Sequence, residues 1–160
     1  MQPTSYSRAQ IVLHWTIAAL VFFQILMHDG IVRLWEGRMD GTLPNEPTIN
    51  PHAIAGALIL VLVLWRVVLR RQRGAPGLPE NEPAILKVLA TGTHVVLNLI
   101  LILMALAGAA AWISGIDAIG NVHSLARLVL IPLVVLHIVA ALFHHYWLKT
   151  DVLRRMLGRA

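Results

Sequence analysis

The sequence has 160 residues, of which 58% are hydrophobic and only 13% are charged, and its mean hydropathy is +0.72. This composition excludes an ordinary soluble globule, because whole segments are apolar around their circumference and need lipid or protein on every side. The formal net charge of +5 comes from basic residues that flank apolar segments without forming an aromatic-interleaved patch, so it indicates membrane topology and no nucleic-acid partner.

The first predicted element is a membrane span over about residues 10–27, which is long enough to cross a hydrocarbon core that needs about 20 residues. Residues 29–50 are polar and mildly acidic and are predicted to form a loop. A short surface helix around residues 31–35 is compatible with that loop. The chain is therefore expected to cross the lipid once and then to remain at the opposite surface for about twenty residues.

The second span is predicted over about residues 51–70, where Asn50 supplies an N-cap and Pro51 occupies the first helical position. Residues 74–83 contain three prolines and two glycines, which is typical of a linker. A third span follows over about residues 84–113. Its first turns are partly polar.

The fourth span is predicted over about residues 122–148, after a short loop at residues 114–121. Pro132 lies near its middle and is expected to kink the helix, because proline removes a backbone hydrogen bond. The whole chain, residues 1–160, is therefore predicted to be a single all-α domain, an integral membrane four-helix bundle.

Lysine and arginine are distributed unequally between the two sides of this bundle. One arginine precedes the first span, four close the second span, and four basic residues lie in the C-terminal tail, whereas the opposite loops hold only Arg33 and Arg38. By the positive-inside rule, both termini are predicted to be cytoplasmic.

Eight histidines stand out in so apolar a chain, because an ionisable side chain facing lipid is costly and usually has a function. The chain has no cysteine, which excludes disulfides, zinc–thiolate sites and iron–sulfur clusters built from this chain alone. Histidine is then the obvious metal ligand. Haem iron in a membrane bundle takes two axial imidazoles from facing helices at equal depth.

The predicted topology pairs four of these histidines by depth. His52 and His123 both lie at the outer ends of their spans, while His14 lies one to two turns inside the cytoplasmic end of the first span. His137 follows His123 by fourteen residues, which is about 21 Å along the helix and close to the same face. His137 therefore falls near the level of His14, and the pairs predict two stacked haems. The alternative is that each histidine only bonds a neighbour or caps a helix.

Other residues are weaker candidates. His94 and His144 lie in the inner half without a haem partner, and either could bind a quinone carbonyl or replace a misassigned ligand. Arg127, one turn after His123, could pair with a propionate of the outer haem or snorkel to the surface. His28 and His145 lie at membrane boundaries and need no function.

The ordered motifs resemble the bacterial cytochrome b561 family across nearly the whole chain. The resemblance rests on Tyr6-Ser7-Arg8 with Gln10, on His14-Trp15, on Pro51-His52, on His94, and on His137 to His144-His145-Tyr146 with Lys149 and Asp151. It implies a four-helix bundle in the bacterial inner membrane with two haems b. The resemblance carries ligand roles onto His14, His52, His123 and His137, and it implies a cytoplasmic quinone site with His94 and His144.

Within that family the chain looks most similar to superoxide oxidases, which pass electrons from superoxide to ubiquinone. The loop at residues 114–121 looks shorter than in that type, and the outer loops carry more acidic than basic residues. Arg33, Arg38 and Arg127 are the cationic candidates that could attract the anion. Two alternatives are a haem-b anchor that links a partner dehydrogenase or hydrogenase to quinone, and a membrane protein without haem whose histidines bind a metal or only pack.

Overall fold

The computed structural model of the protein describes residues 3–77 and 82–159, and the elements in these ranges are helical. They are, in chain order, α1 (Arg8–Leu26), α2 (His28–Met39), α3 (Pro51–Arg73), α4 (Ala84–Ser114), α5 (Asp117–Tyr146) and α6 (Val152–Met156). Four of them, α1, α3, α4 and α5, are long and apolar enough to cross a membrane. The predicted all-α membrane four-helix bundle is confirmed.

Local sequence explains where the first two spanning helices begin. Ser7 and Gln10 form a reciprocal capping box at the start of α1, in which the Ser7 side chain accepts from the Gln10 amide and Gln10 accepts from the Ser7 amide. The Asn50 side chain accepts from the Ala53 amide at 2.9 Å, and Pro51 opens α3. These caps satisfy amides that the first helical turn leaves without partners.

The predicted loop at residues 114–121 is wrong, because α5 already begins at Asp117. Gly115 ends α4 with a left-handed backbone, φ +68°, and only Ile116 separates it from α5. Glycine adopts this conformation at no steric cost, so a single residue pair can turn the chain. The segment after α1, which was predicted to lie at the outer surface, is also more helical than predicted, since α2 covers His28–Met39.

The spanning helices pack as neighbours in the order α1, α3, α4, α5. The buried core is small and lies between α1 and α3, where Ile17 and Val21 meet Ile59 and Val63, with partly buried side chains of α4 against it. Most other large apolar side chains are exposed on the outer surface of the bundle. Exposure of apolar side chains is costly in water but not in lipid, because the lipid tails are equally apolar.

Candidate functional site: two histidine clusters at opposite ends of the bundle

The first cluster contains His52 and His123 and joins the N-terminal turns of α3 and α5. We call it the outer cluster, after the predicted topology. The ring centroids of His52 and His123 are 6.1 Å apart, and the rings are inclined at 76°. An octahedral metal between two imidazoles, with metal–nitrogen bonds of about 2 Å, places the ring centroids about 6 Å apart. Both ring planes contain the metal–nitrogen axis in such a site and can be rotated about it, so this separation suits an axial pair.

His123 is held in place by α4. Its Nδ1 lies 2.8 Å from the carbonyl oxygen of Met104, which is the contact that orients a metal-binding imidazole and leaves Nε2 for the metal. Gly108, one turn along α4, makes room for the ring, because a Cβ there would lie 2.8 Å from Cε1 of His123. Gly108 therefore has a steric role at this site beyond the general packing of small residues.

His52 also has a specific environment. Its carbonyl oxygen accepts a hydrogen bond from Nε2 of Gln24 at 3.0 Å, which ties α1 to the start of α3. Its ring Nδ1 is buried without a hydrogen-bond partner in the part of the chain that the structure describes. A buried polar nitrogen left without a partner is costly, so this ring fits a site that receives a further group.

Two further residues lie beside the outer pair. Burial and then the charge of Arg127 lower the pKa of His28, which sits at the start of α2. Nε of Arg127 is buried and has no hydrogen-bond partner among the described residues. A guanidinium of this kind is suited to an anionic oxygen such as a haem propionate.

The second cluster, which we call the inner cluster, lies farther along α5 and contains His14, His94 and His137. The centroids of His14 and His137 are 6.2 Å apart, which is again the spacing of an axial pair, and those of His94 and His137 are 5.3 Å apart. His137 therefore contacts one histidine from α1 and one from α4. Geometry alone leaves His94 as a competitor of His14 for the position opposite His137.

A polar contact between α3 and α4 lies close to this inner cluster. Nδ2 of Asn98 donates to the carbonyl oxygen of His94 at 2.6 Å, and Nη1 of Arg66 donates to Oδ1 of Asn98 at 3.4 Å. The side chain of Arg66 on α3 is thus hydrogen-bonded to α4, the helix that carries His94. Asn98 was not identified from the sequence, where a lone asparagine in an apolar span gave no pairing signal.

His144 contacts Glu82 and Thr150, and no contact with the other inner histidines is seen among the described residues. Its Nε2 is 3.1 Å from Oε1 of Glu82, whose side chain is only 3% exposed, and its Nδ1 is 3.3 Å from Oγ1 of Thr150. Nε2 of His144 is thus within ion-pair distance of Glu82, whose buried carboxylate oxygens have no hydrogen-bond partner among the described residues. Glu82 was missed in the sequence, because it lies in a proline-rich linker with no periodicity.

Arg38 is not a free cation on the outer face, which corrects one of the three cationic candidates. It is 7% exposed. Its guanidinium lies 6.0 Å and 5.6 Å from the ring centroids of Trp35 and Trp112, and it donates to Oδ1 of Asn45 at 3.0 Å and to the Trp112 carbonyl. The signal in the sequence was the spacing of Trp35 and Arg38, three residues apart on a helix.

We call Arg38, Trp35 and Trp112 with their polar partners the outer clamp. Nε1 of Trp35 donates to Oδ1 of Asp117 at 3.3 Å, and Nε1 of Trp112 donates to the carbonyl of Thr48 at 2.9 Å. The clamp therefore fixes α2 and the following loop onto the junction between α4 and α5.

Comparison with known proteins gives a match over nearly the whole chain. Residues 5–159 match the family described as prokaryotic cytochrome b561. The chain is 33% identical over 156 residues to a protein named cytochrome b562 from Cereibacter sphaeroides, covering 98% of this chain and 97% of that protein.

Two more distant relatives are each 28% identical to this chain. Cytochrome b561 homolog 1 of Escherichia coli aligns over 177 residues, with 96% of this chain and 97% of that protein covered. A protein named probable superoxide oxidase CybB from Yersinia pestis aligns over 179 residues, with 96% of each chain covered. Because both alignments are longer than the 160-residue chain, these relatives carry inserted residues.

Proposed function

Because this chain belongs to the prokaryotic cytochrome b561 family, whose members bind haem b and transfer electrons in membranes, we propose that it carries two haems b and moves electrons across the bilayer. The observation that carries the proposal is the presence of two histidine pairs, 6.1 Å and 6.2 Å apart, at the two ends of the bundle. Haem b, held by the two imidazoles of each pair, would supply a reversible one-electron carrier.

The proposed ligand set is His52 with His123 for the outer haem and His14 with His137 for the inner haem. Support for the outer pair comes from Met104, which orients His123, and from the unpaired Nδ1 of His52. Arg127 is proposed to neutralise an outer propionate, since its buried Nε has no other described partner.

Superoxide is the proposed donor and ubiquinone the proposed acceptor. Two superoxide anions would each lose one electron and become dioxygen, and one ubiquinone would take up both electrons and two protons to become ubiquinol. The relative named probable superoxide oxidase supports this reaction. The proposed quinone position is near His94, whose ring contacts His137. The separate pair of His144 and Glu82, nearer the end of α5, is proposed to exchange protons with the cytoplasmic side.

The protein is proposed to lie in the bacterial inner membrane with both termini in the cytoplasm. The basic ends of α3 and of the C-terminal tail support this orientation. Under it, His52 and His123 face the periplasmic side, where superoxide would arrive.

Stopped-flow mixing of the purified protein with superoxide tests the donor. Rapid appearance of the reduced-haem absorption bands, followed by reoxidation with ubiquinone, is the expected result. Absorption that superoxide leaves unchanged would exclude superoxide as donor. A pyridine haemochrome assay on the same preparation is expected to give two haems per chain, and a lower number would require a different ligand set.

A second function is favoured by the burial of Arg38. With Arg38 enclosed in the outer clamp, the outer segment offers superoxide fewer cations, while Asp29, Glu36, Asp40 and Glu46 remain acidic. Such a face suits a protein donor with a basic docking surface. In that case the chain is the haem-b anchor of a dehydrogenase or hydrogenase, and it copurifies with that partner from the native membrane under mild detergent. Isolation as an active single subunit would contradict the anchor.

A further inference from the structure

A polar cavity lies where the C-terminal end of α5 meets α6, outside both histidine clusters. Its volume is about 220 Å³, and it is lined by His145, Lys149, Thr150, Asp151 and Arg154. All five lining residues are polar, in a chain of which 58% is hydrophobic. Neither the proposed haem ligands nor the outer clamp use these side chains.

The cavity is cationic in spite of the carboxylate in its lining. Lys149 and Arg154 are exposed cations. The carboxylate of Asp151 accepts from Nε of Arg155 at 2.7 Å, so its charge is already balanced from within α6. Nδ1 of His145 is buried and has no hydrogen-bond partner among the described residues. The cavity therefore presents two cations to an anion.

Aromatic residues place this cavity at the level of the lipid headgroups. Tyr146 and Trp147 end the last spanning helix and are 73% and 77% exposed. Tyrosine and tryptophan concentrate at the membrane–water interface, where an apolar ring body and a polar tip are both satisfied. The ring of Trp147 stacks on that of Phe143, with centroids 6.3 Å apart. The residues that line the cavity lie on both sides of Trp147 in the sequence, so the cavity is expected at the boundary between hydrocarbon and water.

The backbone at Lys149 is unusual. It has φ +54°, the one positive value at a non-glycine position in residues 3–77 and 82–159. Glycine adopts this conformation without a steric cost, whereas a lysine does not. The amide of Thr150 donates to the carbonyl of His144 at 2.9 Å and closes the turn. A lysine at a position that favours glycine fits a use for its side chain.

We propose that this cavity binds the phosphate group of an anionic phospholipid, such as phosphatidylglycerol. Lys149 and Arg154 would bind the phosphate oxygens. The neighbouring exposed side chains of Trp147 and Leu148 provide apolar contact for the acyl chains. A soluble phosphate has no use for this apolar surface, whereas a lipid meets both requirements. The proposal does not depend on the number of haems or on the electron donor.

Native mass spectrometry of the intact haem-loaded protein, released from nanodiscs with equal amounts of phosphatidylglycerol and phosphatidylcholine, tests the proposal. The test variants are Lys149→Gly and Arg154→Gln. Glycine suits the backbone at position 149, so Lys149→Gly removes the charge without straining the fold. The control is Arg71→Gln, which removes an exposed arginine of the last turn of α3, on the same side of the bundle but outside the cavity.

The wild-type protein is expected to retain phosphatidylglycerol in preference to phosphatidylcholine, and each test variant to bind it about fivefold more weakly. Arg71→Gln is expected to retain it as the wild type does. Equal retention of both lipids by the wild type would overturn the proposal, and so would equal losses in Arg71→Gln and the test variants, which would indicate unspecific attraction. Release of the lipid by millimolar inorganic phosphate would also overturn it, by making a soluble anion the ligand.

Discussion

The two histidine clusters differ in how firmly the surrounding residues fix the positions and the pairing of their imidazole rings. At the outer end, two rings face each other, and one of them is oriented by the Met104 carbonyl and shaped by Gly108. At the inner end, His137 has two histidine neighbours, His14 and His94, on different helices. The outer cluster is therefore built for one arrangement of ligands. The inner cluster holds three imidazoles, so its geometry allows two different pairings with His137.

The largest expected effect is the loss of one haem when a proposed ligand is removed, and it tests whether the two clusters differ as described. His52→Ala is expected to remove only the outer haem and His14→Ala only the inner one, because a single imidazole does not replace an axial pair. Haem content by the pyridine haemochrome assay should fall from two to one per chain in each variant. His94→Ala should keep both haems. If His94→Ala loses a haem and His14→Ala does not, the inner pair is His94 with His137.

Gly108→Ala should weaken the outer site strongly and leave the inner one unaffected. The added Cβ would lie 2.8 Å from the His123 ring and displace it from Met104, at a cost of about 1–3 kcal/mol. Outer-haem occupancy, followed by absorption during titration of the apoprotein with haem, is the measurement. Gly92→Ala on the same helix is the matched control, since a Cβ there meets nothing within 4 Å. Equal haem affinities in the two variants would contradict the steric role of Gly108.

Arg38→Gln should loosen the outer end without changing the inner cluster. It removes a buried guanidinium that bonds a carbonyl and an amide oxygen and lies against two tryptophans, at a cost of about 2–4 kcal/mol. Thermal unfolding and proteolysis of residues 40–49 measure this effect. Arg33→Gln, at an exposed position of α2, is the control and should change stability by less than about 0.5 kcal/mol. Similar proteolysis of both variants would show that the outer clamp does not hold the loop.

Trp35→Phe should have the smallest effect of these changes. It keeps an aromatic ring beside Arg38 but removes the hydrogen bond to Asp117, which has a length of 3.3 Å, at a cost of about 1 kcal/mol. A drop of a few degrees in the unfolding temperature is expected, with the haem spectrum unchanged. A shift as large as that of Arg38→Gln would mean that Trp35, and not the arginine, holds the outer segment.

Much of this fold could be predicted because lipid imposes a simple rule on the sequence. Four long apolar stretches had to become helices, and the structure has them. The boundary before α5 could not be predicted, because one left-handed glycine, Gly115, was enough to replace an eight-residue loop. Caps with a recognisable pair of residues, such as Asn50 and Pro51, were placed correctly.

The candidate site also has features that the sequence could predict and features that it could not. Histidine depth follows from helical rise, so the sequence could bring His14 to the level of His137 and His52 to that of His123, and their ring distances agree with an axial spacing. The contact of His94 with His137 depends on the rotation of α4 about its own axis, which depth does not determine. The partnership of Glu82 with His144 depends on the path of a linker, where no periodicity exists to be read.

One helix contributes a histidine to each of the two proposed pairs. His123 and His137 both belong to α5, fourteen residues apart, which is about 21 Å at the helical rise. The rise of α5 would therefore set the distance between the two proposed haem sites. The proposed partners, His14 and His52, lie on α1 and α3, so a movement of those helices would change the pairs but not the separation of His123 and His137. Pro132 lies between these two histidines and lacks the amide that would continue the helical hydrogen bonds, so the helix is expected to be easiest to deform there.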